Sequence, residues 1–141
     1  VEVNSIAMFC RIDENYQIHY EILEDVLPRD TLFVHGNIAS NRWWYPTLEV
    51  LRNRKSDLKG RAILVEFRGC GKSTAPQTVE HAKMSILRDD VLQVIKNLNL
   101  HQVDLVGHST GGLIVAMVAA LIPDKVSRLV ALDPVGAQGI K

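Results

Sequence analysis

Two short stretches of this chain hold residue types that can do chemistry. In "LVGHSTGG", Leu105 to Gly112, a serine stands between glycines two residues before and two after it, Gly107-x-Ser109-x-Gly111. An apolar run that reads as a strand leads in, and an apolar run long enough for a helix leads out. A serine at such a junction is displayed only if the turn is very tight. Glycines at those two places remove the side chains that would collide there. The turn lifts the Ser109 hydroxyl away from the sheet. It also leaves the N–H of Thr110, at the helix start, pointing at any oxygen on the carbon that Ser109 attacks. These residues suit nucleophilic attack on an acyl carbon. The bland alternative is a glycine-rich turn with an idle serine, and the strand-to-helix context disfavours it.

The second stretch, "EFRGCGKSTAP" from Glu66 to Pro76, imitates a nucleotide-binding loop with its glycines and Lys72-Ser73. A phosphate cradle needs G-x-x-x-x-G-K-[ST], because the first glycine lets the backbone turn its N–H groups onto the phosphates. Glu66 holds that place, and a carboxylate repels the anion such a loop exists to hold. A cradle must also feed straight into a helix, and here Ala75-Pro76-Gln77-Thr78 intervenes. The spacing argues against nucleotide chemistry.

The elements that must position these residues follow from periodicity. "SIAMFCRID" and "YQIHYEIL" alternate roughly at period two around Asp13-Glu14-Asn15, which predicts a hairpin. "DTLFVHG" is a short strand halted by Gly36, and "RAILVEF" is a second buried strand. "NRWWYPTLEVLRNRK" places Trp43, Leu48 and Leu51 at helical spacing, with Pro46 near the start. "HAKMSILRDDVLQVIKNLNL" predicts an amphipathic helix. "QVDLVG" is a strand, "TGGLIVAMVAALIP" a helix closed by Pro123, and "VSRLVALDP" a sixth strand. The stretch Leu113 to Ile122 is apolar all round and belongs pressed on the sheet. After the antiparallel hairpin, strands and helices alternate. The fold class is therefore α/β, a mostly parallel sheet with helices on both faces and functional groups at the carboxyl ends of its strands.

Composition narrows the function further. The 141 residues carry 16 basic and 16 acidic side chains, so no electrostatic footprint for nucleic acid or an anionic membrane is present. Hydrophobic residues make up 47% and charged ones 23%, the balance of a single globular domain. The longest apolar run is about half of a membrane span. Cys10 and Cys70 form no zinc pattern with the histidines and do not demand an oxidising compartment. Val1-Glu2-Val3-Asn4 lacks a basic region followed by an apolar run. No leader is read there, and the expected compartment is cytoplasmic.

Three motifs, in order and each at the end of a strand, are similar to those of the α/β-hydrolase fold, and the resemblance runs the length of the chain. "VHGN", with His35 and Gly36, resembles the family's H-G-x turn, in which the N–H of the residue after glycine completes an oxyanion hole. That place falls on Asn37, paired with Thr110. "EFRGCGKS" resembles the D-x-R-G-x-G-x-S loop, with Glu66 where aspartate is usual, and "GHSTGG" resembles the nucleophile elbow. The resemblance implies a serine hydrolase of carboxylic esters or related acyl compounds. It implies a small-molecule substrate, and no cofactor or metal. Serine at 109 argues against haloalkane dehalogenases, which share the H-G-N turn but use an aspartate. "HGNIA" does not match the H-G-G-P-G of proline-specific aminopeptidases, and the S-T-G-G ending is similar to cofactor-free haloperoxidases, which behave as esterases and perhydrolases. The rival reading is a hydrolase-fold receptor that binds a small molecule without turning it over.

The family order is serine, then acid, then histidine, and no histidine follows Ser109 in this sequence. Residues 1–141 are accordingly expected to be the N-terminal portion of one such domain, with the base, the last strands and the cap beyond Lys141. Asp133, closing the sixth strand, is a candidate triad acid. In the family's usual strand order that strand would be an exposed apolar edge. His35 and His108 are expected in structural roles, and His19, His81 and His101 in surface or capping roles. Trp43 and Trp44 could wall an acyl pocket, although at helical spacing beside leucines aromatic residues are more often core, and Trp43 is read so.

Overall fold

The computed structural model describes residues 4–54 and 58–136. Residues 1–3, read above for a leader, and Lys55 and Lys141 lie outside the described residues. Six strands form one sheet in the order β1-β2-β4-β3-β5-β6: β1 Ile6–Arg11, β2 Gln17–Leu27, β3 Thr31–Val34, β4 Gly60–Val65, β5 Val103–His108 and β6 Val126–Leu132. β1, β2 and β4 pair antiparallel, while β4, β3, β5 and β6 pair parallel. The hairpin start and the alternation that follows are as the sequence predicts.

Helices lie on both faces. α1, Tyr45–Arg52, follows a 3₁₀ turn over Asn41–Trp44 and takes Pro46 in its first turn, where a missing N–H costs nothing. α2, Met84–Asn97, and α3, Thr110–Leu121, cover the other face. The short central strand β3 is buried at every position, and β4 at all but Arg61, because both of their sides are covered. Leu32 and Val34 point into the core with Val91, Ile114 and Val118, while Phe33 points into the second core with Trp44 and Leu48. α3 is pressed on the sheet through Ile114, Val115 and Val118, although Leu121 at its end is exposed. At the outer edge, β6 leaves Leu129, Val130 and Leu132 each 44% exposed. The expected apolar edge is present among the described residues.

Two expectations fail. β2 is covered on both sides over most of its length, so His19 is 1% exposed and is no surface residue. Trp43 and Trp44 sit on a 3₁₀ turn, not on the helix, and point apart: Trp44 is 2% exposed but Trp43 is 56% exposed. Trp43 is not core.

Candidate active site

β5 ends at His108 and α3 begins at Thr110, so Ser109 alone makes the turn. It does so at φ 54° and ψ −117°, a region that costs a residue with a side chain about 1–3 kcal/mol and persists only when its surroundings impose it. They do impose it. The Ser109 N–H donates to the Leu132 carbonyl at 3.0 Å, and its own carbonyl accepts from Gly112 and Val135 at 3.0 and 3.1 Å. A side chain on Gly111 would strike the carbonyl oxygens of Val34 and His35, and one on Gly107 would strike the Gly111 carbonyl. The two glycines predicted from spacing are the places where the start of α3 lies directly on the strand ends.

The turn after β3 runs alongside. A β-carbon on Gly36 would stand 3.2 Å from the Ser109 β-carbon and 3.0 Å from His108 Nδ1. His35 is fully buried, and both ring nitrogens are used: Nδ1–H donates to the Gly36 carbonyl at 2.7 Å, and Nε2 accepts the Phe67 N–H at 3.2 Å. Only the neutral ring fits both bonds. Burial accordingly pushes the His35 pKa down, against an opposing pull from the Gly36 carbonyl. The Gly36 carbonyl and the Asn37 N–H belong to one planar peptide unit, so His35 also fixes the direction of that N–H. The Asn37 side chain turns onto its own backbone and accepts the Ile38 N–H at 3.1 Å. Thr110, buried, is the first residue of α3, and a first-turn helical N–H has no partner within its helix. The structure thus brings His35, Gly36, Asn37, Gly107, Ser109, Thr110 and Gly111 to one rim. Asp133 joins the same edge at the end of β6, exposed and at φ 46°.

None of the five histidines hydrogen-bonds Ser109. His35 is engaged as described, His19 pairs with Glu66, His81 with the Tyr16 hydroxyl and His101 with Asn99. His108 stacks on Trp43, with ring centroids 4.9 Å apart and planes 16° from parallel. These two rings, with Gly36, Asn37, Ile38 and Ser109, border a cavity of about 370 Å³.

The loop after β4 supports the rim from behind, through contacts that spacing could not show. Glu66 is 4% exposed. It accepts the Asn41 N–H at 3.1 Å, the Lys72 N–H at 2.8 Å and His19 Nδ1 at 2.7 Å. Burial alone would raise its pKa, but the backbone donors of Lys72 and Asn41, with His19, outweigh it and hold the carboxyl below its ordinary range. Arg68 closes a two-pronged bond on Asp90 of α2 at 2.6 and 2.8 Å and lies over the Tyr16 ring at 4.0 Å. An arginine in the loop and an acid in the helix were both visible in sequence; nothing there showed that they meet. His19, Glu21 and Glu66 have ligand atoms within 4.8 Å of one another, a donor set of the kind that holds metals. Its carboxylates are taken by the protein's own donors, since Glu21 accepts from the Ser5 and Tyr45 hydroxyls at 2.9 and 2.6 Å.

A strained serine between a parallel strand and a helix, flanked by an H-G turn, defines a class, and comparison with known proteins gives the same one. The model of the alpha/beta hydrolase fold family matches residues 32–139, and the chain belongs to that family. It is 27% identical over 132 residues to epoxide hydrolase 4 of Mus musculus, covering 92% of this chain and 35% of that protein. It is 29% identical over 130 residues to (E)-2-((N-methylformamido)methylene)succinate hydrolase of Acinetobacter baylyi, covering 92% and 46%. Among solved structures, the thioesterase domain from the curacin biosynthetic pathway superposes with a TM-score of 0.80 at 20% identity, covering 92% of this chain and 44% of that one. The chain thus spans less than half the length of each of these relatives. No helix among the described residues is long and apolar enough to cross a membrane.

Proposed function

We propose that this chain carries the nucleophile and the oxyanion hole of a serine hydrolase acting on carboxylic esters or related acyl compounds. The observation that carries the reading is the backbone of Ser109. A φ of 54° at a residue with a side chain, held by bonds to β6 and by two glycine contacts, is strain spent on displaying one hydroxyl. In this mechanism a base takes the Ser109 proton while Oγ bonds to the acyl carbon. The N–H groups of Asn37 and Thr110 receive the oxyanion, and its collapse expels the alcohol, which takes up the proton. Water then attacks the acyl-enzyme, releasing the carboxylic acid and restoring the hydroxyl. The base of this reading is a histidine outside the 141 residues, and Asp133 is the candidate acid on the rim.

The relatives' names span epoxide hydrolysis and the hydrolysis of a substituted succinate, so the choice must come from Ser109 itself. A hydroxyl that opens an epoxide leaves an ether, which water does not cleave. A hydroxyl that attacks an acyl carbon leaves an ester, which water does cleave. Turnover through serine therefore favours acyl substrates. In the full-length protein, hydrolysis of p-nitrophenyl acetate is expected to fall by about 10⁴-fold or more in Ser109→Ala. Ester binding without any Ser109-dependent hydrolysis would instead favour the receptor reading.

A further inference from the structure

Beside Ser109 two large apolar side chains lie uncovered by the described residues. Ile38, on the turn after β3, is 93% exposed, and Trp43 is 56% exposed. Trp44, one residue after Trp43, is by contrast 2% exposed. They are not scattered over the surface: both border the cavity of about 370 Å³ that reaches Ser109. Trp43 is also held in place. Its indole lies nearly parallel to the imidazole of His108, the residue before the nucleophile. A rigid flat ring fixed against the elbow loses little conformational freedom when a ligand covers it. The cavity is of the size of a small-ligand pocket.

Charge decides what the cavity can take. Among the described residues neither a lysine nor an arginine borders it, and no carboxylate does. An acyl group bearing its own carboxylate would be desolvated there without a partner, at a cost that an uncharged chain does not meet.

Resting on the serine-hydrolase reading, we propose that Trp43 and Ile38 form the acyl subsite. They select a neutral, apolar acyl group of medium length, hexanoyl rather than acetyl or succinyl. The acyl chain lies along the indole edge and against Ile38, with its carbonyl carbon over Ser109. Trp43 thus acts as a platform that is covered by substrate, not as a gate that shortens it.

The test is a kcat/KM series on p-nitrophenyl acetate, hexanoate and hemisuccinate in the full-length protein, with Trp43→Ala and Ile38→Ser. The unmodified protein is expected to prefer hexanoate over hemisuccinate by at least about tenfold, the scale set by a few apolar contacts. Trp43→Ala is expected to lower the hexanoate-to-acetate ratio by about tenfold, and Ile38→Ser by a smaller factor. Both side chains are exposed, so neither replacement opens a core cavity. A ratio that stays constant in both variants, or rises in Trp43→Ala, overturns the platform while Ser109-dependent turnover stands. A preference for hemisuccinate overturns the neutral acyl class. Loss of all Ser109-dependent turnover in the unmodified protein would overturn the hydrolase reading, and the subsite with it.

Discussion

Two glycine-bearing loops at the same end of the sheet do opposite things with their glycines. In the elbow, the space beside Gly107 and Gly111 is filled by backbone, namely the carbonyls of Gly111, Val34 and His35. That close approach pushes Ser109 outward. In the loop after β4, Gly71 at φ 51° curls over the buried carboxylate of Glu66, which any β-carbon there would strike. The neighbouring Lys72 N–H donates to that same carboxylate. This explains why the loop imitates a phosphate cradle. It is an anion-binding turn whose anion is part of the protein, and it faces inward, leaving the Lys72 side chain in solvent. One loop displays a serine hydroxyl; the other consumes its donors to brace the first.

The contrast predicts a graded set of losses. The largest belongs to the elbow. Gly111→Val drives a branched side chain into the ends of two carbonyls and should cost about 4 kcal/mol or more, read as loss of soluble folded protein or a collapse of the denaturant midpoint. A stable Gly111→Val would mean that the close approach is not required.

Removing the resident anion comes next. Glu66→Ala leaves the Asn41 N–H and the His19 ring buried without their acceptor and the part-buried Lys72 N–H without its partner, so about 3 kcal/mol of stability should be lost. Glu66→Gln retains an acceptor oxygen and should cost less than half of that. Equal midpoints for both variants would show that the hub is not held together by these bonds.

Acid should loosen the same rim. His35 is neutral in the fold with its pKa below the ordinary 6.5, so the unfolded chain binds more protons in the interval between the two values. The stability it contributes is complete above pH 6.5 and drains away as pH falls from there through the folded pKa, by at most about 1.4 kcal/mol per pH unit. Glu66, lowered from 4.5, adds a loss of the same sign at more acid pH. Denaturant midpoints measured from neutral to mildly acid pH check this; a midpoint that rises on acidification contradicts it.

The smallest effect is at Lys72. Its side chain is exposed and does nothing in this account, so Lys72→Ala should move stability by less than about 0.5 kcal/mol. No ATP or GTP binding should be detected before or after the change. Nucleotide binding lost in Lys72→Ala would reverse the comparison of the two loops.

How much of this was legible in the sequence depends on the range of each signal. The elbow was readable because its logic is local: a serine, two glycines, a strand before and a helix after. The H-G-N turn and the alternation of strands and helices were readable for the same reason. His19 was misread because period-two alternation says which residues share a face of β2, not that both faces are covered. The group that makes its burial tolerable, Glu66, lies 47 residues away. Trp43 was misread because helical spacing was carried one turn too far. Both tryptophans sit on a 3₁₀ turn ahead of the helix, and the first of the pair emerges beside Ser109. Arg68 and Asp90 meet only once α2 is folded against the sheet. Pairings across such distances have no local signature.

The central claim is that the strain at Ser109 serves a reactive hydroxyl, and covalent labelling tests it most directly. The full-length protein treated with an alkyl fluorophosphonate and digested for mass spectrometry should carry the phosphonyl group on the peptide containing Ser109, and nowhere in Ser109→Ala. Labelling that survives Ser109→Ala, or a native protein that takes up no label at all, would contradict it.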